Sequence, residues 1–96
     1  MATYCFDLDG TICTQEKPDS YQIAKPNKSI IKKINRLYDS GNIIYIYTAR
    51  HMLNCEMTKN WLKSNNVKYH HIFFNKPAAD FFIDDRGVSI KDFMKK

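Results

Sequence analysis

The chain has 96 residues, of which 44% are apolar and 14% aromatic, and its formal net charge is +5. This length lies below the usual domain size of about 100 to 150 residues, so a single domain over 1–96 is expected and a separate substrate domain is nearly excluded. The positive charge favours anionic partners such as phosphate esters or nucleic acid, without choosing between them.

The first half of the chain predicts a strand, a long loop and a helix. Residues 3–6 form a short aromatic and apolar run, as in a buried strand. Residues 11–26 are polar, contain two prolines and show no period, which predicts a loop or small flap of the kind that is often functional. Apolar residues recur at helical spacing over 30–38, with Asn27 as a candidate N-cap and Gly41 placed to end the helix.

The second half predicts three strands and two helices. Residues 43–47 are β-branched and aromatic without polar interruption, which is typical of a strand covered on both faces. A helix is predicted over 54–64, strands over 69–74 and 80–83, and a short last helix over 89–93. This order predicts an α/β fold: a Rossmann-like three-layer sandwich with a mainly parallel sheet and no large cap domain.

Three cysteines, Cys5, Cys13 and Cys55, have no zinc-ligand spacing, and their odd number argues against a disulfide framework. No segment approaches the roughly 18 to 20 apolar residues that a membrane span requires. We therefore expect a cytoplasmic protein with no membrane partner. So short a chain buries limited surface, and a homodimer or a bound metal could add to its stability.

Polar side chains cluster at or near the ends of the predicted strands. In open α/β sheets, ligands bind beyond the carboxyl ends of the strands, so these residues are expected to meet at one site. They are Asp7, Asp9, Thr48, Lys76, Asp84 and Asp85.

Asp7 and Asp9 are two residues apart, so their side chains leave an extended chain on the same side. Like charges held this close repel unless a cation lies between them, and Mg²⁺ prefers such oxygen ligands. Asp84 and Asp85 could supply further carboxylates from another strand. Gly10 would let the backbone turn sharply beside the site.

These residues give the chain a resemblance to the haloacid dehalogenase superfamily of phosphatases, over about 3–88. Asp7-Leu8-Asp9-Gly10-Thr11, Thr48, Lys76 and Asp84-Asp85 are similar to its four ordered motifs. Ala24-Lys25-Pro26, Tyr47-Thr48-Ala49-Arg50 and the run over 76–86 resemble small capless members found with capsular polysaccharide biosynthesis.

The resemblance implies that Asp7 is the nucleophile, forming an aspartyl-phosphate, and that Asp9 is the general acid and base. It also implies two groups of ligands. The phosphate-binding residues would be Leu8, Thr48, Ala49 and Lys76. The magnesium ligands would be Asp7, Asp9 through its backbone carbonyl, Asp84 and Asp85.

Plainer interpretations exist for single residues: Asp9-Gly10 and Asp84-Asp85 could be turns, and Lys76 a surface lysine. Arg50 could grip a second anionic group of the substrate, with Lys25 as another contact, or be an exposed structural arginine. We expect a sugar phosphate or similar small metabolite as substrate. The alternative functions are a nucleic-acid end or nucleotide phosphatase and, third, a phosphorylated signalling receiver.

Overall fold

The computed structural model describes residues 1–77, 79–81 and 83–95. The predicted α/β class with a parallel sheet is confirmed, and the described residues form no large cap. In chain order the elements are β1 (Thr3–Asp7), a 3₁₀ helix (Pro18–Ile23), α1 (Lys28–Asp39), β2 (Ile43–Tyr47), a 3₁₀ helix (Met52–Asn54), α2 (Cys55–Ser64), β3 (His71–Phe73) and α3 (Ile90–Met94). None of the described helices is long and apolar enough to cross a bilayer.

The sheet has three parallel strands in the order β1-β2-β3. Helices α1 and α2 make the two crossovers, which proceed in the same direction across the sheet, so right-handed connections place both helices on one face. Phe6, Ile46 and Ile72 are neighbours in the strand register and are buried on that face. Side chains on the opposite face, such as Tyr47 and Phe73, are exposed.

Helix α1 begins and ends where its local sequence predicts. The side chain of Asn27 accepts the N–H of Ile30 at 3.3 Å, which caps the first turn. Ile30 and Ile34 face the core. Gly41 follows the helix with φ of +92°, a left-handed conformation that favours glycine and closes the last turn.

Strand β3 is shorter than the predicted strand over 69–74. His70 explains where it begins: its backbone N–H donates to the carbonyl of Ile44, but its Nδ1 atom accepts the N–H of Ile44 at 3.0 Å. The imidazole thus occupies a donor that a strand carbonyl would otherwise bind. The ring also stacks on Tyr38, which holds it beside α1.

The strand predicted over 80–83 is not formed by Asp80, Phe81 or Ile83; residue 82 lies outside the described part. Phe81 and Ile83 are almost fully exposed. The connection after β3 is only a few residues long, whereas a parallel crossover needs about a dozen or more. The predicted last helix is present as α3, and its Phe93 packs against Phe6.

Candidate active site

A cavity of about 320 Å³ opens at the carboxyl end of the sheet. Its walls come from four segments: the end of β1, the flap over 11–26, the loop after β2 and the loop after β3. The lining residues are Asp7, Asp9, Gln15, Glu16, Tyr21, Ala49, Arg50, Lys76, Pro77 and Ala79. Asp7 and Asp9 therefore line one cavity at this edge of the sheet, and their roles there stay a prediction.

A tight turn follows β1 and lies beside the cavity. The carbonyl of Leu8 accepts the N–H groups of the three residues 11–13 at 2.9 to 3.3 Å. Gly10 enters this turn with φ of +85°, which L side chains rarely adopt. The base of the flap is closed by Thr14, whose N–H donates to the carbonyl of Lys25.

Asp7 is fixed in position yet remains open to the cavity. Its Oδ1 atom accepts the N–H of Leu8 at 2.9 Å, and its Oδ2 atom lies 3.3 Å from Nζ of Lys76. The side chain is nevertheless 43% exposed. One carboxylate is therefore oriented by two donors while its outer side can meet a ligand.

Asp9 is held far more tightly, by a two-pronged ion pair. Arg50 donates from Nη2 to Oδ1 at 2.8 Å and from Nε to Oδ2 at 3.1 Å. The hydroxyl of Thr48 lies 3.5 Å from Oδ2, a long contact. The two side chains of the ion pair are 1% and 16% exposed for Arg50 and Asp9. Both oxygens of Asp9 are consequently fixed by one planar guanidinium.

Arg50 is almost fully buried, although it contributes to the cavity lining. Its Nη1 atom donates to the hydroxyl of Thr58 on α2 at 3.1 Å. The ring of Tyr21 lies over the guanidinium, 3.8 Å from Cζ to the ring centroid. The structure thus directs Arg50 towards Asp9 and α2, whereas the sequence left open a contact with substrate or an exposed structural arginine.

The predicted phosphate-binding residues are divided between the cavity and the core. Lys76 and Ala49 line the cavity. Thr48 is fully buried, and its hydroxyl accepts the N–H of Arg50 at 3.0 Å. Leu8 is also fully buried, and its N–H donates to the carbonyl of Tyr47 and to Asp7. Leu8 and Thr48 therefore lie in the core, next to residues that line the cavity.

Three further predicted residues do not line the cavity. Lys25 is exposed at the base of the flap. Asp84 and Asp85 are also exposed, and Asp84 accepts the N–H of Arg86 at 2.9 Å, as in a turn. This backbone hydrogen bond is the main cause that lowers the pKa of Asp84.

The sequence prediction missed three residues that shape the site: Tyr21, Thr58 and Cys13. Tyr21 is the one aromatic residue of the loop over 11–26, and Thr58 is a polar residue three positions before the core residue Trp61, so both carried a weak signal. Cys13 is buried beside Asp9, and burial followed by that carboxylate raises the thiol pKa to about 12. The thiol therefore stays protonated.

The charges of the lining residues indicate what else the cavity could hold. Among the described lining residues, the carboxylates of Asp7, Asp9 and Glu16 face two cations, Arg50 and Lys76, and a phosphate ester would add further negative charge. Among described residues, no group of three or more His, Cys, Asp or Glu side chains is arranged to hold a metal. Mg²⁺ needs only one or two carboxylates besides water and phosphate, so the open side of Asp7 fits it.

No protein-family profile and no curated protein matches the chain. Among solved structures, it is similar to an MCSG target from Vibrio cholerae, with a TM-score of 0.84, 29% identity and coverage of 100% of this chain and 89% of that one.

Two longer solved chains are also similar. One belongs to the Pnkp1/Rnl/Hen1 RNA repair complex, with a TM-score of 0.69, 17% identity and coverage of 84% of this chain and 27% of that one. The other is D,D-heptose 1,7-bisphosphate phosphatase from B. bronchiseptica complexed with magnesium and phosphate, with a TM-score of 0.56, 16% identity and coverage of 83% and 53%. The chain has the haloacid dehalogenase-like fold that its sequence predicts.

Proposed function

We propose that this chain is a magnesium-dependent phosphatase that hydrolyses a phosphate monoester through an aspartyl-phosphate on Asp7. One observation carries the proposal: two carboxylates share a cavity under different constraints. Asp7 is oriented but open, whereas Asp9 is gripped at both oxygens by Arg50. A carboxylate that is oriented but open suits a nucleophile. A carboxylate held at both oxygens suits a general acid and base that must keep one orientation.

The reaction has two displacements at phosphorus. First, an oxygen of Asp7 attacks phosphorus, the bond from phosphorus to the ester oxygen breaks, and Asp9 gives that oxygen a proton. Then water attacks phosphorus, Asp9 takes its proton, and the carboxylate of Asp7 leaves. Arg50 occupies one lone pair on each Asp9 oxygen. The second donors, the Thr48 hydroxyl at 3.5 Å and the Cys13 thiol at 3.7 Å, make only long contacts that a proton can displace.

Positive charge near Asp7 would stabilise the transferring phosphoryl group. Nζ of Lys76 is beside Asp7 and at the cavity wall. Magnesium held through Asp7 would supply further charge stabilisation and orient the phosphate. The structurally similar heptose bisphosphate phosphatase from B. bronchiseptica was solved in complex with magnesium and phosphate, which supports the choice of metal. Asp84 and Asp85 remain proposed further ligands.

For the substrate we propose a sugar phosphate or a similar small metabolite, linked to capsular polysaccharide biosynthesis. A cavity of about 320 Å³ lies at the small end of the range for ligand sites. The amide of Gln15 and the carboxylate of Glu16 line the same cavity as Asp7 and could hydrogen-bond sugar hydroxyls. The likeness to a heptose bisphosphate phosphatase agrees with this class.

A nucleic-acid end or nucleotide phosphatase is the alternative, favoured by the likeness to a chain of an RNA repair complex and by the net charge of +5. A panel of sugar phosphates, nucleotides and 3′-phosphorylated oligonucleotides separates the two. Hydrolysis of the sugar phosphates supports our proposal. Selective removal of the oligonucleotide phosphate would replace it by the alternative.

Two variants test the chemistry. Asp7→Asn should abolish turnover of any phosphate ester while the protein stays folded. Asp9→Asn should lower kcat/KM, which reports the first displacement, more for an alkyl phosphate, whose leaving group needs a proton, than for a nitrophenyl phosphate, whose leaving group does not. Equal losses of kcat/KM on both esters would remove proton donation to the leaving group from the role of Asp9.

A further inference from the structure

Among the contacts that the structure describes, Tyr21 is the flap residue whose ring packs on the Arg50–Asp9 ion pair, over the guanidinium of Arg50. Its ring centroid is 3.8 Å from Cζ of Arg50, a distance at which an aromatic face attracts a guanidinium. Tyr21 also lines the cavity, beside Asp9 and Glu16. A residue of the flap is therefore in contact with the group that orients Asp9.

The hydrogen bonds of Arg50 fix it within its own plane. Nε and Nη2 bind the two oxygens of Asp9, and Nη1 binds Thr58. Bonds in one plane resist sliding but resist tipping out of that plane poorly. The ring of Tyr21 covers one face of the guanidinium and opposes this remaining motion, so it completes the restraint on Asp9.

Helix α2 contacts both Arg50 and the flap. Thr58 lies three residues before Trp61, on the same face of the helix. Trp61 donates from Nε1 to the carbonyl of Ala24 at 2.9 Å, which ties the end of the flap to α2. The same helix also packs against the 3₁₀ helix Pro18–Ile23 that carries Tyr21. The positions of the ring and of the guanidinium are thus set from one element.

We propose that Tyr21 is a positioning residue, which acts through Arg50 to hold Asp9 in the direction needed for proton transfer. The inference rests on the proposed function and deepens it. It assigns the flap a part in the chemistry: Asp9 is fully oriented only while the flap is seated with Tyr21 on Arg50. Asp7 does not touch Tyr21 in any described contact, so attack on phosphorus should depend on the flap much less.

The test compares Tyr21→Leu with Tyr21→Phe. Leucine fills similar space without an aromatic face, whereas phenylalanine keeps the face and loses only the hydroxyl. In Tyr21→Leu, kcat/KM, which reports the first displacement, should fall about ten-fold more for an alkyl phosphate than for nitrophenyl phosphate. Tyr21→Phe should keep kcat/KM for both esters near the wild-type value. Ile23→Ala, at an exposed flap position outside the cavity lining, is the matched control and should change neither.

A second readout does not depend on activity. In ¹⁵N NMR spectra, the Nε–H of Arg50 should exchange slowly with water in the wild type and in Tyr21→Phe, and faster in Tyr21→Leu. An equal loss of kcat/KM on both esters, no loss on either, or an unaltered exchange rate in Tyr21→Leu would overturn the inference. Activity retained by Asp7→Asn would instead defeat the proposed function, and the exchange measurement would still decide the role of Tyr21.

Discussion

Replacement of Arg50 by methionine should destabilise the fold by about 3 to 5 kcal/mol, because it leaves a nearly buried carboxylate without its partner. Methionine keeps much of the apolar volume of arginine but none of its donors. The change removes both hydrogen bonds to Asp9 and the bond to Thr58.

The magnitude follows from burial rather than from distance. Arg50 and Asp9 are joined at 2.8 Å with side chains 1% and 16% exposed. Lys68 and Asp39 are joined at 2.7 Å, but their side chains are 48% and 60% exposed. An exposed ion pair contributes at most about 1 kcal/mol, so Lys68→Met is a control with a similar N–O distance and little expected effect.

Urea unfolding followed by far-UV circular dichroism measures both variants, with free energies from linear extrapolation. A fold of this length has a total stability of about 5 to 14 kcal/mol, so a loss of 3 to 5 should be plain. Asp9→Asn combined with Arg50→Met should recover part of it, since the unpaired charge is gone. A loss in Arg50→Met no larger than in Lys68→Met would refute this reasoning.

Two further predictions concern single residues near the site. Gly10→Ala should cost about 1 to 2 kcal/mol and lower kcat, because φ is +85° while the added Cβ meets nothing closer than 4.0 Å; Gly41→Ala, at φ of +92°, should cost a similar amount and leave kcat unchanged. Cys13 should be alkylated more slowly at pH 8 than it is in the unfolded protein, as mass spectrometry can show. Since its raised pKa keeps a proton that the unfolded chain releases, the free energy of unfolding should fall between pH 9 and 12, and Cys13→Ala should reduce that fall.

Features set by neighbouring residues were predictable from the sequence. The helix over Lys28–Asp39 depends on a cap at Asn27 and a left-handed residue at Gly41, and both are local chemistry. Asp7 and Asp9 reach one cavity because they follow the end of a strand, which the apolar run before them indicates.

Features that depend on remote segments were not predictable in this way. The direction of Arg50 is decided by Asp9, Thr58 and Tyr21, which come from a turn, a helix and the flap. The run over 80–83 has the composition of a strand, but composition does not provide a pairing edge or a crossover long enough to reach one.

The most direct test of the central claim is capture of the phosphorylated enzyme. Protein mixed with magnesium and an aryl phosphate, quenched in acid and digested, should yield a phosphorylated peptide with the group on Asp7, and Asp7→Asn should yield none. Asp9→Asn should accumulate more of it than wild type, because the second displacement needs the base. Turnover without any phosphorylated Asp7, or turnover that survives in Asp7→Asn, would contradict the account.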